Sequence, residues 1–190
     1  TLPEYFKNNG YYTAGLSKIF HLGDPQSWSE PAWSAPGRYA LKENIAMHTS
    51  MKTRGPLTES AEVTDNAYLD GQTLDTALHT LRRIKDKPFF LAVGFLKPHI
   101  PFAVPKKYWD MYDPNKIVVP DTILPKDIPE VAYIGLGTGE LNPYADGHRE
   151  TRRYLGDDAV RLIHGYYASV SYVDAQVGKL MDELKVLGLE

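Results

Sequence analysis

The sequence contains no cysteine among its 190 residues, which excludes disulfide bonds and thiolate metal sites within it. It also has no apolar run approaching the ~20 residues that a membrane-spanning helix needs. The formal net charge is -3 and the pI is about 6.1, so the composition does not support nucleic-acid binding, which favours a clustered basic surface. What remains is a chain long enough to bury a substantial hydrophobic core.

The most informative stretch is Lys97-Pro98-His99-Ile100-Pro101-Phe102, directly after the apolar run 88–95. That run predicts a strand buried on both faces, and the helical period of residues 72–85 before it indicates an α/β layout. In such folds ligands bind at the carboxyl ends of parallel strands. The two prolines hold their preceding residues extended, so Lys97 and His99 would form a rigid cationic corner suited to an anion. A polar loop after a core strand is the alternative.

A second stretch, residues 10–21, is also β-prone and ends in Lys18 and His21. If both strands deliver a Lys/His pair to the same edge of one sheet, the side chains form a multidentate site for an oxyanion. We therefore expect Lys18, His21 and His99 to converge on one pocket at the carboxyl edge of the sheet. Two separate, solvated strand ends are the alternative.

These two stretches, together with Tyr166–Asp174 and the following Val177-Gly178, resemble the sulfatases, in particular the iduronate-2-sulfatase-like branch. The resemblance runs in order along nearly the whole chain. It implies a partial alkaline-phosphatase/sulfatase-type α/β sandwich with a mostly parallel central sheet flanked by helices. It also implies that residues 1–190 are an internal part of a single catalytic domain. The full enzyme would hydrolyse a sulfate ester on a sugar, a glycosaminoglycan or another small molecule, in a periplasmic, extracellular or lysosomal compartment.

The resemblance also implies a role for each basic residue. Lys18 would contact the sulfate, and His21 would hydrogen-bond the formylglycine hydrate that serves as nucleophile and help to break down its sulfate hemiacetal. His99 would contact the sulfate and protonate the leaving oxygen, and Lys97 would be a sulfate contact or a supporting charge. These roles suit the chemistry, because fixed cations stabilise the charge that develops as the S–O bond breaks and a general acid neutralises the leaving oxygen.

The resemblance implies a formylglycine nucleophile and a bound Ca²⁺. We can assign neither a precursor of the nucleophile nor ligands of the Ca²⁺ in this chain. The segment 34–38, Ser-Ala-Pro-Gly-Arg, matches the serine form of the sulfatase nucleophile motif but follows the Lys18 strand instead of preceding it, so we reject it. Asp157-Asp158 is better explained by helix capping and the helix dipole, and Asp146-Gly147-His148 has the family's metal-binding letters in the wrong order. We expect residues 1–190 alone to be catalytically inactive.

Two other functions stay open from the residues themselves. One is a phosphomonoester or phosphonate hydrolase of the same superfamily, since a Lys/His corner also suits phosphate. The other is a non-catalytic module that binds an anion or a glycan through the same four basic residues. The remaining histidines are expected to be structural or solvated: His48, His79 and His164. The tyrosines of the last segment are expected to pack in the core: Tyr166, Tyr167 and Tyr172. Trp28 and Trp33 would either stack on a sugar ring or anchor their loop.

The sequence pattern also predicts the order of the elements. We expect a short helix over 1–9, a strand ending near Phe20 and an irregular segment over 21–71, which is rich in proline. The helix 72–85 and the strand 88–95 follow. Beyond them we expect a short helix within 105–112, a long connection to Gly156, and a long helix opening at Asp157 or Asp158.

Overall fold

The computed structural model describes residues 1–50, 53–121, 126–127, 129, 139–147 and 154–190. The helices are α1 (Leu2–Asn8), α2 (Lys42–Thr49), α3 (Leu69–Ile84), α4 (Lys106–Trp109) and α5 (Asp157–Val186). The strands are β1 (Tyr12–Ser17), β2 (Thr58–Ala61), β3 (Phe89–Gly94) and β4 (Phe102–Pro105). The chain divides into two compact units. The first comprises Thr1–Gly37, Thr64–Lys97 and Tyr172–Glu190, and the second comprises Arg38–Val63 and Pro98–Ser171.

The first unit is built on the parallel pair β1 and β3, in which Tyr12 lies opposite Phe89 and Ser17 lies opposite Gly94. Helix α1 leads into β1 and begins with a capping box between Thr1 and its third helical residue. Helix α3 contacts both strands and buries an apolar face with the helical spacing, at Leu74, Ala77, Leu81 and Ile84. The expected helix–strand unit is therefore confirmed.

The second unit contains a parallel pair that the sequence pattern did not predict, with β2 beside β4 and Thr58 opposite Phe102. The prediction of an irregular segment over 21–71 is wrong, because α2 and β2 both lie in it. Strand β2 reads Thr-Glu-Ser-Ala and lacks apolar alternation. Its Glu59 is buried and accepts hydrogen bonds from the Ala40 amide and the Asn44 side chain, both at 2.7 Å. Distant partners, which no local pattern shows, stabilise this strand.

The remaining elements follow the expected order with shifted ends. Helix α5 begins at Asp157, with both aspartates in its first turn, and α4 covers only part of the predicted 105–112. Strand β1 ends at Ser17 instead of Phe20. Every residue of β3 is half-buried, which corrects the expectation of a strand buried on both faces. Among the described elements, β3 pairs with β1 and packs against helix α3, and this covering leaves each residue of β3 partly exposed.

The α/β class and the parallel pairing of strands are thus confirmed, with the described strands arranged as two two-stranded sheets. The assignment of residues 1–190 to a single catalytic domain stays a prediction. In the portion of the chain that the structure describes, none of the helices has the length and apolar character required to cross a membrane.

Two helical glycines of the first unit give a matched test of its packing. A Cβ on Gly71 would lie 2.2 Å from the backbone oxygen of Asp65, whereas a Cβ on Gly178 would meet nothing within 4 Å. We expect Gly71→Ala to destabilise the full-length protein by about 1–3 kcal/mol, the scale of overpacking. Gly178→Ala should be neutral or stabilising by up to about 1 kcal/mol, the gain in helix propensity. Urea unfolding of both variants measures the difference, and equal effects would contradict this packing.

Candidate active site

The first cationic pair lies where β1 ends. Ser17 adopts a left-handed conformation with φ 62°, and its amide donates to the Trp33 carbonyl at 2.6 Å, so the chain leaves the strand at this residue. The exposed Lys18 and His21 follow, with Lys18 Nζ 3.1 Å from His21 Nδ1. An ammonium group can only donate, so Nδ1 accepts this bond and the proton of the neutral ring lies on Nε2. The pair therefore presents an ammonium and an imidazole N–H donor.

The end of β3 holds the Lys18 backbone in place. The Lys18 amide donates to the Gly94 carbonyl at 3.1 Å. A Cβ on Gly94 would lie only 2.0 Å from the Lys18 carbonyl oxygen, so the close approach of the two chains requires glycine at this position. The carboxyl ends of β1 and β3 are therefore packed directly against each other, and this contact fixes where the Lys18 side chain starts.

Asp70, in the first turn of α3, fixes the turn that follows β3. Its carboxylate is 1% exposed and accepts from two successive amides, Leu96 at 2.7 Å and Lys97 at 2.9 Å. Burial raises the pKa of Asp70 above its usual range, although the two amides and the Lys97 charge act in the opposite direction. Lys97 itself is 8% exposed, which favours a supporting charge over a direct sulfate contact.

His99, in the second unit, lies between two hydrogen-bond acceptors. Its Nδ1 is 2.6 Å from the Ile100 carbonyl oxygen, and its Nε2 is 3.0 Å from a carboxylate oxygen of Glu140. Each ring nitrogen must carry a proton to make both bonds, so the arrangement suits the imidazolium form. Both side chains of the ion pair are well exposed, at 42% and 64%, and such pairs contribute only about 0.2–1 kcal/mol. An incoming anion can therefore replace Glu140 at low cost.

The structure thus joins Lys18 to His21 directly, and it places Lys97 after the neighbouring strand of the same sheet. His99 belongs to the other unit, and the convergence of Lys18, His21 and His99 stays a prediction. Sequence reasoning missed Asp70 and Glu140. The signal for Asp70 is its position near the start of α3, where an acidic residue interacts favourably with the helix dipole. Nothing in the sequence pairs Glu140 with His99.

The segments that partly match nucleophile and metal-ligand motifs lie in surroundings that do not suit these roles. Ser34 is exposed and lies in a non-helical segment. Both carboxylate oxygens of Asp146 are engaged, one by the Leu57 amide at 2.7 Å and the other by Arg161 at 2.9 Å. His148 lies outside the described residues. Among the residues that are described, no group of three or more His, Cys, Asp or Glu side chains could hold a metal ion. The side chains of these described residues therefore do not fit a Ca²⁺ site, which needs six or more oxygen ligands.

The other aromatic and histidine side chains divide between packing and exposure. Tyr172 is fully buried, as predicted, but Tyr166 and Tyr167 are 45% and 43% exposed, so the prediction of core packing is wrong for these two. They lie on a face of α5 that the described chain leaves open. Trp28 is buried, which supports loop anchoring. The remaining histidines are structural or solvated, as expected. His48 lies on a helix beside the Tyr39 ring. His79 is exposed, and His164 forms a hydrogen bond with the Trp109 carbonyl.

Comparison with known proteins identifies the family. The Sulfatase family profile matches residues 1–190, so the chain belongs to the sulfatase family. It is 35% identical to iduronate 2-sulfatase of Mus musculus, over all of this chain and 37% of that protein. It is 34% identical to iduronate 2-sulfatase of Homo sapiens, over all of this chain and 38% of that protein. The resemblance to the iduronate-2-sulfatase-like branch is thereby confirmed, and the chain spans little more than a third of these relatives.

A solved structure supports the fold. The crystal structure of Ps i-CgsB in complex with k-i-k-neocarrahexaose matches 99% of this chain and 37% of that chain. The TM-score is 0.54 and the sequence identity is 16%. The α/β arrangement derived above is therefore shared with a larger protein of known structure.

The buried Asp70 carboxylate generates a stability prediction. In Asp70→Asn one of the two amides loses its acceptor, so we expect a loss of about 1–3 kcal/mol in the full-length protein. Asp75→Asn, at an exposed position of the same helix, should change stability by less than about 0.5 kcal/mol.

The pH dependence of the Asp70 contribution has a defined sign. Because the folded pKa of Asp70 is raised, the folded state binds this proton more readily than the unfolded state, whose pKa is near 3.8. The contribution of Asp70 to stability should therefore fall as the pH rises from the unfolded pKa through the folded pKa, and then level off. Urea unfolding of the wild type, Asp70→Asn and Asp75→Asn across this range measures it. A wild-type advantage over Asp70→Asn that grows with pH would contradict the assignment.

Proposed function

We propose that the full-length protein is a sulfuric ester hydrolase that acts on a sulfated sugar or glycosaminoglycan. The observation that carries the proposal is the hydrogen-bonded Lys18–His21 pair at the carboxyl end of β1, in a chain of the sulfatase family. The identity to two iduronate 2-sulfatases over the whole chain supports a sugar as the sulfated group. Because the chain spans 37% of the first of these relatives, residues 1–190 are proposed to be one internal part of a larger catalytic domain.

In this proposal Lys18 and His21 act on the sulfate group itself. The Lys18 ammonium is a compact charge that stabilises the sulfate oxygens as negative charge builds up on them. His21 offers an Nε2–H donor because its Nδ1 is occupied by Lys18. Lys97 contributes a buried positive charge next to Asp70. All three side chains follow strands that end at the same edge of the β1–β3 sheet, which is where α/β folds bind ligands.

His99 is proposed to serve the same reaction centre as the proton donor. Its Nδ1 is committed to the Ile100 carbonyl, which fixes the ring and leaves Nε2 as the reactive atom. When a sulfate ester takes the place of Glu140, the Nε2–H can contact the sulfate and transfer its proton to the leaving alcohol oxygen. The exposed Glu140 carboxylate is then free to remain nearby and stabilise the imidazolium.

Ca²⁺ and a formylglycine nucleophile are further parts of the proposal, on the basis of family membership. Formylglycine would supply the nucleophile, and Ca²⁺ would require oxygen ligands. The described residues do not fit the metal. The sequence contains no cysteine, and its serine-type segment 34–38 follows the Lys18 strand instead of preceding it. Both groups are therefore proposed to be held by sequence outside residues 1–190.

The role of His99 is tested in the full-length protein. We expect His99→Ala to lower the release of inorganic sulfate from a 2-O-sulfated uronic-acid disaccharide by at least ~100-fold, the scale of losing a general acid or a transition-state contact. The loss should be smaller with 4-nitrophenyl sulfate, since its leaving group needs little protonation. Sulfate release is measured by ion chromatography.

Ser34→Ala is the matched control, because Ser34 carries the rejected nucleophile motif and lies in an exposed, non-helical segment. It should stay within about threefold of the wild type. Abolished activity in a folded Ser34→Ala protein, or full activity in His99→Ala, would show that the wrong motif was chosen. Release of phosphate from 4-nitrophenyl phosphate without release of sulfate from either ester would instead establish the phosphomonoester alternative.

A further inference from the structure

His99 and Glu140 both line a cleft in the second unit, which has a volume of about 480 Å³. This volume is within the range of sites that hold small molecules. Three aromatic residues also line the cleft: Phe102, Tyr154 and Tyr166. The cleft therefore combines apolar surface with a charged pair, a composition that suits a ligand with both apolar and polar faces.

Tyr166 is an exposed aromatic residue in the lining of the cleft. Its ring meets the ring of Phe102 edge to face, with centroids 6.0 Å apart and an interplanar angle of 86°. Phe102 is 9% exposed and lies in β4, which pairs with β2. Its contact therefore limits the movement of the Tyr166 ring. Tyr166 keeps 45% of its surface exposed and so offers an aromatic surface at a fixed position.

From this arrangement we propose that the cleft is a saccharide subsite, in which a sugar ring packs on Tyr166 while its sulfate contacts His99. The C–H face of a pyranose is apolar and suits an aromatic ring, whereas its hydroxyl groups need hydrogen-bond partners at the edge. The Glu140 carboxylate, once displaced from His99 by the sulfate, is an acceptor for a sugar hydroxyl. A plain aryl ring has no hydroxyl to offer, so Glu140 favours a sugar over an aryl sulfate.

The subsite rests on the proposed function, because it takes His99 as the sulfate contact. The subsite adds Tyr166 and Glu140 as residues that favour a sugar as the part of the substrate that carries the sulfate. Sequence reasoning placed Tyr166 in the core, and only its exposure beside His99 gives it this role. Tyr167 is a matched neighbour: it is 43% exposed, it packs against Tyr112 and it does not line the cleft.

The test uses the full-length protein and two probes, the desulfated uronic-acid disaccharide and inorganic sulfate, with binding measured by isothermal titration calorimetry. We expect Tyr166→Ala to weaken disaccharide binding by about tenfold, a typical value for an aromatic contact, and to change sulfate binding by less than about twofold. Tyr166→Phe, which keeps the ring, should bind the disaccharide within about threefold of the wild type. Tyr167→Ala should leave both affinities unchanged, and thermal unfolding checks that each variant is folded.

Three results would overturn the subsite. They are a wild-type protein that does not bind the disaccharide, a Tyr166→Ala variant that binds it as well as the wild type, and equal losses in Tyr166→Ala and Tyr167→Ala. Sulfate release from the sulfated disaccharide is measured in parallel. Release that persists while Tyr166→Ala binds normally means that the subsite is wrong and the sulfatase function stands. If disaccharide binding depends on Tyr166 but no sulfate is released, the subsite stands and the sulfatase function is wrong.

Discussion

The contact between the Asp70 carboxylate and the amides of Leu96 and Lys97 is the interaction on which the first half of the candidate site depends. It ties the first turn of α3 to the turn after β3, and β3 in turn holds the Lys18 backbone through Gly94. A buried carboxylate is costly to desolvate. Two amide donors and a neighbouring lysine offset part of that cost, and the pKa of Asp70 stays raised. The turn that carries Lys97 is thus held by a charged group inside the protein and not by the apolar core alone.

The two units contain different kinds of hydrogen-bond donor. In the first unit Lys18 and His21 present a fixed cation and a neutral N–H group, a combination that stabilises charge without needing to lose a proton. In the second unit His99 is placed between two acceptors and can give up a proton from Nε2. The presence of Glu140 on that nitrogen shows that the position accepts an anionic oxygen atom.

The sequence predicted what depends on local pattern and failed where distant contacts decide. The helix periods of α3 and α5, the β-prone run of β1 and the family resemblance were all sufficient for correct predictions. Strand β2 was missed because Glu59 is buried by distant amide donors, and Glu140 was missed because only the folded chain brings it to His99. Tyr166 was misplaced because the apolar stripe of α5 predicts burial, whereas the described chain leaves that face exposed.

The proposed function requires Lys18 and His99 to contact the same sulfate group. A crystal structure of the full-length protein with bound inorganic sulfate tests it most directly. We expect a single sulfate whose oxygens lie within about 3.2 Å of both Lys18 Nζ and His99 Nε2, with Glu140 displaced from the histidine. A sulfate bound at Lys18 and His21 while His99 remains paired with Glu140 would contradict it.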